Sequence, residues 1–145
     1  MSVSHTQIRQ AIADCGIPCD SPVRCADGEY SLPDENYMAS LGRRYRDFLF
    51  AQGVAPAEER MDCDNYARLV VALGKFDHGR HFHGETGLAI AEAGIVTDTL
   101  LHMVVLAVHD SGGKLVVKFY ESIPEGTKCL NEFTMPVRRL LSVSF

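Results

Sequence analysis

Apolar residues recur at helical spacing through the first half of the chain and gather into short β-rich runs through the second. The segment from Ser4 to Cys15 is predicted to be a helix, with Ser4 as cap, Gln7 three residues on, and Gly16 as stop. Ile17 to Pro33, rich in Pro, Gly, Asp and Cys, reads as a loop. Asp34 caps a stronger helix in which Tyr37, Leu41, Tyr45, Phe48 and Leu49 share one face and Gly53 ends the element. After a connection, VAPAEER, Asp62 is expected to cap a third helix. Cys63 falls in its first turn, Tyr66, Val70 and Leu73 follow at helical spacing, and Gly74 stops it. Lys75 to Gly87 is polar, and strands are then expected in GLAIAEAGIV, LHMVVLAV, LVVKFYE and the tail near LLSVSF. Helices first and strands after, without βαβ alternation, predict an α+β domain with a mainly antiparallel sheet. The helix opened by Cys63 should pack on one face of that sheet.

Length and composition narrow this picture. A chain of 145 residues suits one domain, 1–145, with one core. Its apolar content of 46% and charged content of 23% are those of an ordinary globular fold. A net charge of −5 argues against a broad nucleic-acid surface. Arg43, Arg44 and Arg46 form a small basic patch that reads as a solvated helix face. The opening MSVSHTQIRQ has no apolar signal core and no apolar run approaches membrane-spanning length, so a cytoplasmic chain with no membrane partner is expected. Five cysteines cannot all pair within the chain and are expected as free thiols in a reducing compartment.

The segment LHMVVLAVHDSGGKLVVKFYES carries the most specific chemistry. Two β-rich runs flank Asp110-Ser111-Gly112-Gly113, whose glycines favour a tight hairpin turn. With Ser111-Gly112 at the turn, His109 faces Lys114, Leu106 faces Val117 and His102 faces Glu121. Facing side chains have Cβ atoms about 4.5–5.5 Å apart, within reach of an imidazole–carboxylate hydrogen bond. A carboxylate fixes the tautomer and orientation of its histidine and stabilises the imidazolium. A thiol at a helix N-terminus near such an imidazolium has a depressed pKa and becomes a nucleophile. Cys63, His102 and Glu121 therefore have the residue types and settings of a cysteine-hydrolase triad, with Asp62 and Asp64 working against the thiolate. Two further clusters are set aside. Asp77-His78-Gly79-Arg80-His81-Phe82-His83 reads better as a polar loop near the site than as a transition-metal centre. Cys15, Cys19 and Cys25 lack a CxxC pair and match no zinc-finger spacing.

On these residues the chain resembles the papain-like superfamily of cysteine peptidases and amidases. DCDNYARLV resembles the nucleophile helix of the CHAP and NlpC/P60 peptidoglycan hydrolases, and the hairpin segment is similar to the CHAP strand pair that runs from the catalytic histidine to a glutamate. The order and spacing of Cys63, His102 and Glu121 are also similar to those of the calcium-dependent protease-like C-terminal domain of mushroom agglutinins and its phage relatives. The resemblance implies a papain-like fold with the nucleophile at a helix N-terminus. It implies hydrolysis of a peptide or isopeptide bond in a peptide, protein or peptidoglycan substrate: Cys63 attacks, His102 shuttles the proton and Glu121 orients His102. A calcium requirement is implied too, with Asp62, Asp64 and Glu92 as candidate ligands by residue type; the sequence itself requires no cofactor. The chain departs from the pattern in having Ser122-Ile123 after the glutamate, no tryptophan, and no glutamine shortly before Cys63 to complete an oxyanion hole. Those departures favour a rival reading, a non-catalytic phage or bacterial accessory or inhibitor protein that binds a protein partner on the same scaffold. Transglutaminase-like acyl transfer uses the same Cys–His logic and is a third reading. The oligomeric state is left open.

Overall fold

The computed structural model describes residues 1–53, 62–82, 85–125 and 128–145. Strand β1 (Ser2–Ser4) leads into helix α1 (His5–Asp14) through the expected capping box: Ser4 Oγ accepts the Gln7 N–H, and the Gln7 side chain accepts the Ser4 N–H. Gly16 ends the helix region with φ 78°. The expected loop before Pro33 contains a short strand, β2 (Glu29–Ser31), which pairs antiparallel with β1. Three residues with one apolar member are too short a run to show period two. Asp34 caps α2 (Glu35–Ala51) by accepting the Tyr37 N–H at 2.6 Å. Met38, Leu41, Gly42, Tyr45 and Leu49 form its buried stripe, whereas Phe48 is 38% exposed, a correction to the expected face.

Helix α3 (Cys63–Phe82) differs most from expectation, because Gly74 does not stop it. A Cβ at that position would stand 2.5 Å from Ile90 Cδ1. The glycine therefore serves close helix–sheet packing, and Lys75 to Phe82 is helix, not loop. The rest is β: β3 (Gly87–Leu88), β4 (Ile90–Val96), β5 (Leu101–Ser111), β6 (Lys114–Glu121), β7 (Asn131–Glu132) and β8 (Arg139–Ser144). Strand β3 joins β1 and β2 in a small sheet, pairing parallel with β2; the other five form a sheet of order β7-β6-β5-β4-β8, antiparallel throughout. The class is α+β, as the element order predicts.

Strand alternation splits the core between the two faces of the large sheet. Ile90, Val105, Ala107 and Tyr120 pack with Leu41, Tyr45, Tyr66 and Val70 of α2 and α3. Ala91, Ala93, Ile95, Val104, Leu106 and Val108 pack on the other face with Ile8 and Ile12 of α1.

The β5–β6 hairpin turns at Gly112-Gly113, with φ 65° and 89°, a pair that only glycines adopt freely. Asp110 Oδ1 accepts the Gly113 N–H at 2.8 Å and closes the turn. The turn lies one residue later than the sequence suggests, so every facing pair moves by two. His109 faces Val116, Leu106 faces Phe119, and Val105 faces Tyr120. A shift of two preserves the face of each side chain, whereas a shift of one would have reversed it.

Candidate functional site

His102 and Glu121 share a sheet face, and the histidine Nε2 lies 2.7 Å from Glu121 Oε2. They meet diagonally, since β6 pairs with β5 only from Val105 onward. Glu121 Oε1 accepts the Ile123 N–H at 2.9 Å, so both carboxylate oxygens are engaged. The His102 side chain is 12% exposed and its ring lies 6.1 Å, centroid to centroid, from that of Phe133. The pair is well held.

Among the described residues no hydrogen bond joins Cys63 to it. His102 stands opposite Ile95 on β4 and, by alternation, on the face of Val104, the α1 side. Helix α3, which Cys63 opens, packs on the opposite face. Among the described residues the half-buried Cys63 thiol makes no hydrogen bond. Its neighbours are acidic: a hydrogen bond between Asp62 and Asp64 holds the Asp64 carboxyl above its ordinary pKa and the Asp62 carboxyl below it.

Of the candidate calcium ligands, Asp64 and Glu92 meet at a guanidinium. Arg68 binds Asp64 at 3.0 Å and Glu92 at 3.1 Å, so a guanidinium already supplies the positive charge between them. Among the described residues no group of three His, Cys, Asp or Glu side chains could hold a metal ion, and the donor set does not fit calcium. In the histidine-rich segment, His78 is buried with its Nε2 at 3.1 Å from the Thr86 carbonyl, and His81 lies 3.8 Å from Asp77. His83 lies outside the described residues. All five cysteines are free thiols.

A groove lies elsewhere, between α2 and the β6–β7 end of the sheet. This groove has a volume of about 410 Å³, within the ordinary range for ligand sites. Glu35, Met38, Ala39, Gly42, Arg43 and Arg46 line one wall, and their spacing is that of a single helical stripe. Tyr120 and the segment from Lys128 to Glu132 form the other. Gly42 permits the close approach, since a Cβ there would stand 2.9 Å from the Cys129 carbonyl oxygen. Leu130, on the groove wall, holds a positive φ of 62°, a conformation that non-glycine residues seldom adopt and that recurs at functional sites. The structure thereby divides the basic patch read from sequence as a solvated face. Arg44 pairs with Asp77 at 2.7 Å, while Arg43 and Arg46 turn into the groove. Helical periodicity could have shown that Arg43 and Arg46 share a stripe; the wall opposite was not visible from sequence.

No protein-family profile and no curated protein sequence matches the chain. Solved structures do. The PSL1a-E64 complex is similar over 99% of this chain, with a TM-score of 0.73 and 14% identity. The crystal structure of Polyporus squamosus lectin bound to the human-type influenza-binding epitope Neu5Acα2-6Galβ1-4GlcNAc is similar over the same 99%, with a TM-score of 0.70 and 14% identity. The likeness shows the fold. The chain spans about half the length of these neighbours, 51% of the first and 49% of the second.

This finding corrects the family assignment. The chain was expected among the papain-like cysteine peptidases and amidases, but the solved structures similar to it include Polyporus squamosus lectin bound to a glycan epitope. The readings that rested on that assignment fall with it: a cysteine hydrolase, a thiol protease, a catalytic triad acting on a peptide or peptidoglycan bond. Among the described residues no helix is long and apolar enough to cross a membrane.

Proposed function

We propose that this chain is a non-catalytic binding module whose ligand is a glycan. The observation that carries the reading is the likeness to Polyporus squamosus lectin over 99% of the chain, one of whose structures holds a sialylated trisaccharide. Two local features support it. The Cys63 thiol makes no hydrogen bond among the described residues, and α3 packs on the sheet face opposite that of His102. The α2–β6 groove, by contrast, combines an apolar floor at Met38 and Leu130 with a polar rim, the composition of a ligand site. On this reading the His102–Glu121 pair is a structural clamp that ties the start of β5 to the end of β6.

Calorimetric titration of the purified chain with Neu5Acα2-6Galβ1-4GlcNAc, and with the same glycan lacking its terminal Neu5Ac, tests the proposal. Saturable binding of either is expected. Absence of binding to both, and to a broad panel of immobilised glycans, overturns it, as does turnover of generic peptides that Cys63→Ala abolishes.

A further inference from the structure

We infer that the α2–β6 groove is built for a carboxylate-bearing ligand, whose acid group is held by Arg43, Arg46 and Lys128. This deepens the glycan-binding reading and rests on it for the class of ligand, since Neu5Ac, the sugar that ends the lectin-bound epitope, is itself a carboxylic acid.

The charges decide the sign of the ligand. The chain as a whole is acidic, at −5, yet the groove gathers three cations against two carboxylates. Those carboxylates are already engaged: Lys118, beside the groove, binds Glu35 at 2.6 Å and reaches Glu132 at 3.7 Å. That ion pair holds the Glu35 carboxyl below its ordinary pKa and the Lys118 ammonium above its own, so both stay charged. The cations are less well served. Among the described residues neither Arg43 nor the Lys128 ammonium has an ion-pair partner, and Arg46 has only its sequence neighbour Asp47 at 3.3 Å. Arg46 also acts on the half-buried Cys129 thiol, opposing the rise in pKa that burial causes. Its positive charge is therefore felt on the groove wall.

The geometry suits an acid as well. Arg43 and Arg46 are three residues apart on α2 and so project from the same side of the helix, both lining the groove. A planar guanidinium fork matches a carboxylate in bidentate fashion, and Lys128 adds a point charge from across the groove. The side-chain amide of Asn131 on the same wall offers both a donor and an acceptor for hydroxyl or acetamido groups.

The test maps amide shifts of the isotope-labelled full chain on titration with free N-acetylneuraminic acid, with N-acetylglucosamine as the neutral control. Shifts confined to Ala39–Arg46 and Cys129–Glu132, produced by the acid and not by the neutral sugar, are expected. They should weaken as salt is raised, because exposed charges are screened. Arg43→Gln with Arg46→Gln should lower affinity for the acid about tenfold or more, the loss expected for charge-assisted hydrogen bonds, without altering the tyrosine signal of the fold. Shifts elsewhere, equal response to both sugars, no response to the acid, or unchanged affinity in the double variant each overturn the inference. The two proposals fail separately. A trisaccharide bound outside the groove leaves the glycan reading standing, whereas acid in the groove with no glycan bound leaves only this one.

Discussion

At the scale of single residues, two glycines on one helix make opposite demands. Gly74 faces the sheet, where an added Cβ would stand 2.5 Å from Ile90 Cδ1 and 3.2 Å from Leu41 Cδ2; Gly79 has nothing within 4 Å. Overpacking a buried contact costs about 1–3 kcal/mol, whereas replacing an exposed helical glycine by alanine contributes about 0.5–1 kcal/mol. Gly74→Ala should therefore lower the urea midpoint and Gly79→Ala should raise it; equal effects would mean that Gly74 does not face Ile90 as described. His109 supplies a second residue-scale prediction. It is 4% exposed, and its Nε2 lies 2.9 Å from the Tyr120 hydroxyl. Burial, the largest influence on it, pulls its pKa below the ordinary 6.5, while burial pushes the Tyr120 hydroxyl up to about 12. The unfolded chain then binds a proton more readily than the folded one, so this contribution is whole above about pH 6.5 and is lost as pH falls through the depressed folded value. Urea midpoints at about pH 7 and about pH 5 should differ more for the native chain than for His109→Asn. An identical drop in both would place the pH sensitivity on other groups.

At the scale of elements, the β5–β6 hairpin depends on its turn. Gly112 and Gly113 both have positive φ, with Ser111 facing Lys114 across them. A β-branched residue in the left-handed region costs about 1–2 kcal/mol, whereas asparagine tolerates it. Gly112→Val should destabilise the chain by roughly that amount and Gly112→Asn should be nearly neutral by thermal melting. Were the turn at Ser111-Gly112 instead, the same pair of positive-φ positions would fall on Ser111 and Gly112, leaving Gly113 tolerant; Gly113→Val distinguishes the two. This hairpin also shows what was legible in the sequence. Local chemistry was: the Ser4–Gln7 capping box, the Asp34 cap and the four β-rich runs all appear where their residue types put them. Register was not, because Asp-Ser-Gly-Gly supports two adjacent turns and only packing on both sheet faces chooses between them. Length failed for a related reason: Gly74 carries a helix-stop signal, but its surroundings turn it into a contact with Ile90. The site was legible in pairs and not as a whole. Parity brought His102 to Glu121 even with the register two residues out, whereas the sheet face that α3 covers, and hence the place of Cys63, is a tertiary fact.

At the scale of the whole molecule, one strand ties two cores together. Val104, Leu106 and Val108 of β5 enter the α1-side cluster, while Val105 and Ala107 between them enter the cluster under α2 and α3. Neither face can lose its packing without loosening the strand that supports the other, so the chain should unfold as one cooperative unit. Leu106→Ala tests this. The residue is fully buried on the α1 side, and such truncations cost about 2–5 kcal/mol. In a single unit that loss should appear equally on the face Leu106 does not touch. Amide exchange reports each face separately through Ile8 and Ile12 of α1 and Val70 of α3, all buried and helical. The opening free energies at these sites should match in the native chain to within about 1 kcal/mol and fall together in Leu106→Ala. The tyrosines give a second view weighted to one face, because Tyr45, Tyr66 and Tyr120 lie in the α2–α3 cluster, Tyr30 alone lies in the α1-side cluster, and the chain has no tryptophan to mask them. If the variant speeds exchange in α1 while Val70 and the tyrosine transition stay put, the two faces are separate units and the sheet between them is not the common core.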